Sequence, residues 1–425
     1  MKKVLIIGHF WPYRRGSRRI IGLAKYLPEF GWKPIVLTGF LEKKAGPGFR
    51  IIETDFRSFL GPWIEIFGLD HKRDLGPQLR AKFEKKSSRW KIFFKKIYYP
   101  IQEILAYPDQ DKKWKPFAIK AAKEFLEKEK IDAIISVWPF TGHMVAKKLK
   151  EKYKIPWIAD FPDLWSQNDV YSYGEVRRMI DRRLERKTLL SADALTAVSQ
   201  PMVESLKEIH KQQRIIRMIT HGFDPKELNE PPAKLRSKFT ITYTGQVFPE
   251  QQDPAKILIA LSDLISSGMI NPNDIEIRFY GPYKSWLEEK IKSYNLTSFV
   301  EQYGVIDRED CLKKQRESHL LLLLKLEDLS KKGNYTGKIF EYLAALRPIL
   351  TTGGSKDVIT DLLKETGAGI EAPSVEDIKN SLEKLYTEYK LKGGVAYNGG
   401  IKEIDKYSER EMAKKFANIL NQIIK

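Results

Sequence analysis

Three short stretches of the chain hold residues whose types and spacing suit chemistry on a phosphorylated ligand. The first is TGKIFE, residues 336–341. Thr336 is of a type that caps helices, Gly337 and Lys338 follow it, and Glu341 falls about one turn in. A helix start offers backbone N–H groups and the positive end of its dipole to an anion, and Lys338 adds a charge. A carboxylate one turn further along suits two hydrogen bonds from a vicinal diol such as ribose. Phosphate and ribose together make a nucleotide. The plain alternative is that Glu341 only complements the helix dipole.

The second stretch is HFWPYRRGSRR, residues 9–19. Gly16 allows close approach of backbone to a ligand. Arg14, Arg15, Arg18 and Arg19 around it suit bidentate contact with phosphate or carboxylate, or else form a solvated basic helix start. The dinucleotide fingerprint G-x-G-x-x-G is absent. The third stretch is ADFPDLW, residues 159–165, where Asp160 and Asp163 follow an apolar run. A carboxylate there suits the orientation of an acceptor hydroxyl or a sugar, or the capping of the next turn.

Residues so placed need strands that end beside them. Short apolar runs at 3–10, 33–39, 132–138, 156–161, 193–199 and 214–222 read as buried parallel strands, with helical patterns over 18–31 and 111–130 between them. Residues 224–238 are charged, carry three prolines and read as a linker. The alternation then restarts, with strands at 239–245, 275–281 and 318–326 and helices over 254–267 and 285–294. This predicts an α/β fold of two tandem Rossmann-like, doubly wound domains facing a central cleft, where ligands of such sheets bind. The expected divisions are a first domain over 1–223, the linker 224–238, a second domain over 239–405, and a closing helix within 406–425.

The stretches also carry a resemblance. TGKIFEYLAALRPIL looks like the donor-nucleotide motif of GT-B glycosyltransferases, specifically glycosyltransferase family 4-like chains. HFWPYRRGSRRIIGLAKYLPEFGW resembles their first βα unit. IPWIADFPDLW, LERKTLLSADALTAVSQPM, HGFDP, FTITYTGQVFPEQQDP and KYSEREMAKKFANIL resemble further segments of that family, in its order. The resemblance implies a retaining, hexosyltransferase-like enzyme. It would move a sugar from a nucleotide-sugar to a glycan or lipid-linked acceptor, in cell-surface polysaccharide or glycolipid synthesis. It implies that Glu341 binds the ribose diol, and that Tyr335, Thr336, Gly337 and Lys338, with Gly245 of the YTG strand, hold the diphosphate. The second domain would bind the nucleotide-sugar and the first the acceptor, with Gly16 approaching from the first and the closing helix packing back on it; Asp160 and Asp163, from their place at a strand end, are the candidate catalytic carboxylates. No metal and no separate cofactor are implied. Four positions depart from the pattern: Gly333 stands where a second acid is usual, Gln246 and Gln252 stand where cations are usual, and Arg15 replaces a common glycine. A nucleotide-sugar epimerase on the same fold, and a non-catalytic basic protein that binds membrane or nucleic acid, are the alternatives.

The net charge of +19 favours anionic partners. Recognised nucleic-acid motifs are absent, so a membrane surface is the expected polyanion. Within the poorly patterned segment 51–108, Trp90, Phe93 and Phe94 share one face of a basic helix. Such a helix either lies in a membrane interface or packs on its own domain. One cysteine, Cys311, excludes an intramolecular disulfide. MKKVLIIGHFWP reads as a first strand rather than a secretion signal, and no run is long enough to span a bilayer. The expected location is therefore cytoplasmic, peripheral on the inner face of the membrane. Asp109-Gln-Asp111 has the D-x-D form of metal-dependent transferases of another fold but reads as a turn. No histidine pair has zinc-ligand spacing, and His143 lies near a strand end.

Overall fold

The computed structural model describes every residue except 9–16, 40–47, 56–106, 110, 169–173, 212–214, 232, 249–251, 327–332, 355 and 425. Gly16, Arg14, Arg15, Trp90, Phe93 and Phe94 therefore lie outside the described residues. The chain forms two compact units, one of residues 1–220 with 412–425 and one of residues 221–411.

The first unit is built on a seven-stranded sheet of order β3-β2-β1-β4-β5-β6-β7. Its strands are β1 (Lys2–Ile7), β2 (Trp32–Gly39), β3 (Arg50–Thr54), β4 (Ala133–Ser136), β5 (Trp157–Phe161), β6 (Ala194–Ala197) and β7 (Ile215–Met218). All pair in parallel. The edge strand β3 is the one that the sequence pattern does not single out. Alternation sorts the side chains by face. Leu5, Ile7, Ile35 and Leu37 join one core cluster, while Val4, Ile6 and Val36 join the other. Both faces are covered, which is why these strands read as unbroken apolar runs.

Helix α1 (Ser17–Tyr26) follows β1, and α2 (Lys115–Leu126) precedes β4. Helices α3 (Phe140–Tyr153), α4 (Glu175–Leu189) and α5 (Gln200–Ile209) link the later strands. A short 3-10 turn extends α1 to Gly31, whose φ of 83° closes it. Asp109 and Asp111 lie in a turn, as the sequence suggests. Asp109 also accepts hydrogen bonds from the Thr141 N–H (2.6 Å) and hydroxyl (2.7 Å) in the first turn of α3.

The second unit has a six-stranded parallel sheet of order β10-β9-β8-β11-β12-β13. Its strands are β8 (Phe239–Thr244), β9 (Ile275–Tyr280), β10 (Val300–Gly304), β11 (Leu320–Leu324), β12 (Ile349–Thr352) and β13 (Gly369–Ala372). Here too the faces split by alternation. Leu320, Leu322 and Leu324 pack with Ile241 and Tyr243, while Leu321 and Leu323 pack with Ile339 and Phe340. The helices are α6 (Ala255–Ser266), α7 (Ser285–Ser293), α8 (Arg308–Arg316), α9 (Gly337–Ala345), α10 (Val358–Thr366), α11 (Val375–Lys392) and α12 (Ile401–Asp405). Residues 224–238, expected as a linker, fall in this unit and contain a 3-10 helix, Pro225–Asn229.

A last helix, α13 (Glu409–Ile423), carries the chain out of the second unit. Its residues Met412, Ala413, Phe416 and Leu420 pack with Val4, Ile6 and Ile20 in the first. Within the second unit, Phe223 accepts from the Glu409 N–H (2.7 Å) and donates to the Tyr407 carbonyl (3.2 Å), so the incoming and outgoing segments are pinned together.

Candidate functional site

In both sheets the strand order reverses between the first strand of the unit and the fourth, and ligands of doubly wound sheets bind beyond the carboxyl ends of the strands at that reversal. In the second unit the reversal lies between β8 and β11. Helix α9 begins after the loop that leaves β11 and is held in place from within. Ile339, Phe340, Tyr342 and Leu343 are buried. The Tyr342 hydroxyl accepts a hydrogen bond from the Thr244 N–H at 3.0 Å, which ties the helix to the end of β8. The Gln315 amide donates to the Thr244 hydroxyl at 3.0 Å and completes that joint.

The start of α9 is left open. Thr336 occupies the N-cap with extended backbone, but its side chain makes no capping bond. Gly337 has an ordinary negative φ, and a Cβ built on it meets nothing within 4 Å. Neither backbone strain nor packing against the described residues requires glycine there. Lys338 reaches across the reversal. Its Nζ donates to the Tyr243 hydroxyl at 3.0 Å and lies 4.8 Å from the ring centroid. The Tyr243 hydroxyl in turn donates to the Gln246 carbonyl at 2.9 Å, and burial pushes that phenol well above its usual pKa.

Gly245 makes this crossing possible. Its φ is 111°, and a Cβ there would come within 2.3 Å of Lys338 Cε. A side chain at 245 would be strained and would displace the lysine. Lys338 thus puts an ammonium at the carboxyl end of β8, linked through Tyr243 to the Gln246 backbone. Gln246 is half-buried. Gln252 is buried and donates its amide to the Leu324 carbonyl at 3.1 Å.

Glu341 sits on the same helix, one turn in, with its side chain 19% exposed. Arg308 Nε lies 4.0 Å from its Oε1, while the other arm of Arg308 donates to Glu227 at 2.7 Å. Tyr335, half-buried before the helix, packs on Phe340 with ring centroids 5.5 Å apart. Gly333, at the position where the resemblance implies a second acid, is buried.

Local pattern barely marks Lys325. It follows a run of leucines and is fully buried, with Nζ 2.9 Å from Glu371, 3.1 Å from Asp357 and 3.0 Å from the Thr360 hydroxyl. It fastens the end of β11 to β13 and to the start of α10. Only its lysine after LLLLL hints at a charge inside the fold.

The first unit corrects one expectation. Asp160, expected as a catalytic carboxylate, is fully buried and its oxygens are taken. Arg19 Nε donates to Oδ2 at 2.6 Å, Arg19 Nη2 to Oδ1 at 2.9 Å, and the Thr196 hydroxyl to Oδ1 at 2.6 Å. Arg19 also donates to the carbonyls of Ile219 and Thr220, both at 2.8 Å, and stacks on Phe416. This guanidinium joins α1, β5, the end of the last strand segment and α13 within one unit. Its donors are met inside that unit. Arg18, its neighbour, is half-buried, and Asp163 is exposed in the loop after β5. His143 is buried too. Its Nδ1 lies 2.7 Å from the Ser136 hydroxyl, which accepts from Trp157 Nε1 at 2.7 Å, and burial lowers its pKa to about 3. Among the described residues, no group of three potential metal ligands is found.

Residues 89–227 match the family model for Glycosyltransferase Family 4. Solved structures align over nearly the whole chain. Sucrose-phosphate synthase from Thermosynechococcus elongatus covers 99% of both chains at a TM-score of 0.62 and 14% identity. Anabaena HepE, in complex with UDP and glucose, covers 99% of this chain and 100% of its own at 0.61 and 12% identity. The fold is the GT-B fold. A glycosyltransferase from Rickettsia africae covers 100% of this GT-B chain and 99% of its own at a TM-score of 0.59 and 15% identity. No curated protein matches the sequence. At these identities the likeness of the solved structures is one of fold, and the residues of the site have to be argued from their own geometry.

Proposed function

We propose that this GT-B protein is a retaining glycosyltransferase that binds the nucleotide diphosphate of its sugar donor at the β8–β11 reversal. The observation that carries the reading is the convergence of the uncapped start of α9, the Lys338 ammonium and the Glu341 carboxylate on one end of the second sheet. The diphosphate lies against the backbone of Tyr335, Thr336 and Gly337, where the missing side chain of Gly337 leaves room for it. Lys338 stands in for the cations absent at Gln246 and Gln252 and opposes the negative charge that builds on the departing diphosphate. Glu341 accepts the two hydroxyls of the ribose.

The likeness to Anabaena HepE, solved with UDP and glucose, supports a nucleotide-sugar donor and a hexose as the transferred group. The acceptor is a glycan or lipid-linked sugar. Asp163, exposed after β5, is the remaining carboxylate for it, and Arg14, Arg15 and Arg18 near Gly16 are its phosphate partners. Transfer proceeds with retention, and the departing diphosphate takes the acceptor proton. Such an enzyme works in cell-surface glycan synthesis at the cytoplasmic face of the membrane and needs no metal or added cofactor.

Thermal-shift measurement against UDP-, GDP-, ADP- and TDP-sugars tests the reading. A ligand at a hundred times its Kd stabilises by about 2.7 kcal/mol. Glu341→Ala should lose most of that protection, and undiminished protection in the variant removes the assigned role. Conversion of the donor to an isomer without any acceptor would point instead to an epimerase.

A further inference from the structure

Helix α4 packs into the first unit with the wrong face inward by hydropathy. The side chains it buries are Arg177, Asp181, Glu185, Thr188 and Leu189. Three of these five are charged, and each has a partner close by, although Asp181 Oδ1 and Glu185 Oε1 accept no hydrogen bond from the described residues. Arg177 pairs with Asp181 at 3.0 Å and donates to the Pro108 carbonyl at 3.2 Å. Glu185 accepts from the Ser166 N–H at 3.1 Å and its hydroxyl at 2.5 Å, and His210 lies 3.7 Å from its other oxygen.

The opposite face holds the apolar residues. Val176 is 74% exposed, Met179 64% and Ile180 46%. Their spacing of i, i+3 and i+4 places them side by side on one stripe. Further along the same side come Arg183, Arg186 and Lys187, with Arg182 on its flank, all exposed. The one acid on the exposed residues of α4 is Glu175, which pairs with Arg178 at 3.1 Å in the first turn. The outer face is therefore an apolar patch followed by a block of cations. A loop leads from the carboxyl end of β5 into α4, so the apolar end lies at the same edge of the sheet as Asp163.

We infer that the outer face of α4 docks on an anionic lipid surface, with Val176, Met179 and Ile180 entering the interface and the arginines and Lys187 meeting the headgroups. A soluble helix that faced water alone would gain by the reverse arrangement, with its apolar residues on the core. A partner protein would also cover an apolar stripe, but four cations without an interspersed acid match a uniformly anionic surface best. The net charge of +19 acts in the same direction at longer range. This docking is independent of the donor site, and α4 contributes no residue to it.

The test is flotation of the full chain with vesicles of phosphatidylcholine alone or with one third phosphatidylglycerol, at low and high salt. Two combined variants are compared: Val176→Ser with Met179→Ser and Ile180→Ser, and Arg183→Gln with Arg186→Gln and Lys187→Gln. The wild type should float with the anionic vesicles only, and less at high salt. The serine variant should bind roughly tenfold more weakly, and the glutamine variant should lose roughly fivefold per cation removed. All six positions are exposed, so both variants should keep the wild-type melting curve and its protection by nucleotide. If the serine variant does not fold, the glutamine variant carries the test. Binding that survives both variants, or that does not distinguish the two lipids, overturns the inference. So does a wild-type dimer in sedimentation that the serine variant dissolves while no vesicle is bound, because a second copy then covers the face.

Discussion

At the carboxyl end of β5 a carboxylate is sealed in; at the carboxyl end of β8 an ammonium reaches across the sheet to a half-open site. The two units share a strand order around their reversals, yet their described polar groups serve opposite ends. Asp160 spends both oxygens on Arg19 and Thr196, and His143 is enclosed against Ser136. Lys338 is partly exposed and its Nζ donates to the Tyr243 hydroxyl at 3.0 Å, and Glu341 Oε1 lies 4.0 Å from Arg308 Nε. A buried ion pair loses heavily when one partner is removed, because the other charge is left without compensation. A half-exposed ammonium loses little. The comparison therefore separates groups that hold the fold from groups disposed to meet a ligand.

The largest effect is expected in the first unit. Asp160→Asn leaves the Arg19 guanidinium buried with a neutral partner, and should cost about 3–5 kcal/mol of the first unit's stability. Hydrogen exchange of β5 and β6 reads this directly. The second unit should be unaffected, and so should its protection by nucleotide. If instead Asp160→Asn folds with wild-type exchange rates and loses turnover alone, the carboxylate is catalytic after all and the contrast between the units fails.

The second effect is the mirror image. Lys338→Met removes a charge-assisted contact with the proposed diphosphate, which is typically worth about 1.5–3 kcal/mol, or roughly 10- to 100-fold in affinity. Tyr243 keeps its bond to the Gln246 carbonyl, so stability should change by less than about 1 kcal/mol. Titration with UDP and a melting curve together decide it. Gly245→Ala sharpens the same point without touching a charge. The added methyl has to displace Lys338 and occupy a φ of 111°. A cost of about 1–3 kcal/mol in stability is expected, together with a loss of nucleotide affinity approaching that of Lys338→Met. Wild-type affinity in Gly245→Ala would mean that the position of the lysine does not matter.

Much of the architecture is legible in the sequence because parallel strands covered on both faces leave continuous apolar runs, as in KVLIIG and LLLLL. The donor-side motif is legible for a similar reason: Thr336, Gly337, Lys338 and Glu341 lie on one helix start and need no long-range information. The Arg19–Asp160 pair joins residues 141 positions apart, and nothing local marks either as a partner of the other. Asp160 at the end of a strand looks the same in sequence whether it faces a ligand or a guanidinium. Lys325 is hidden likewise, because its two acids come from elements after β12. In α4 local pattern misleads outright. Val176, Met179 and Ile180 would be assigned to the core by periodicity, but the buried charges of Arg177, Asp181 and Glu185 find partners in Ser166, His210 and each other and take the inner face.

The smallest expected effect uses a feature that the two units have in common and so calibrates the comparison. His143 in the first unit and His319 in the second are both held neutral by burial, with pKa values lowered to about 3 and about 4 from 6.5. In the unfolded chain each histidine takes up a proton as pH falls through 6.5, whereas in the folded unit it does not until the lower value is reached. The unfolded state then binds more protons, so stability falls as pH drops below 6.5. Over pH 6.5 to 5 each should contribute a loss of about 1–2 kcal/mol. His143→Gln should flatten that slope for β4 and α3 in hydrogen exchange while the slope in β8 and β11 persists, and His319→Gln should do the reverse. A single slope shared by both units, removed by either substitution, would mean that they unfold as one, and the assignment of separate tasks to the two reversals would then need measurements other than stability.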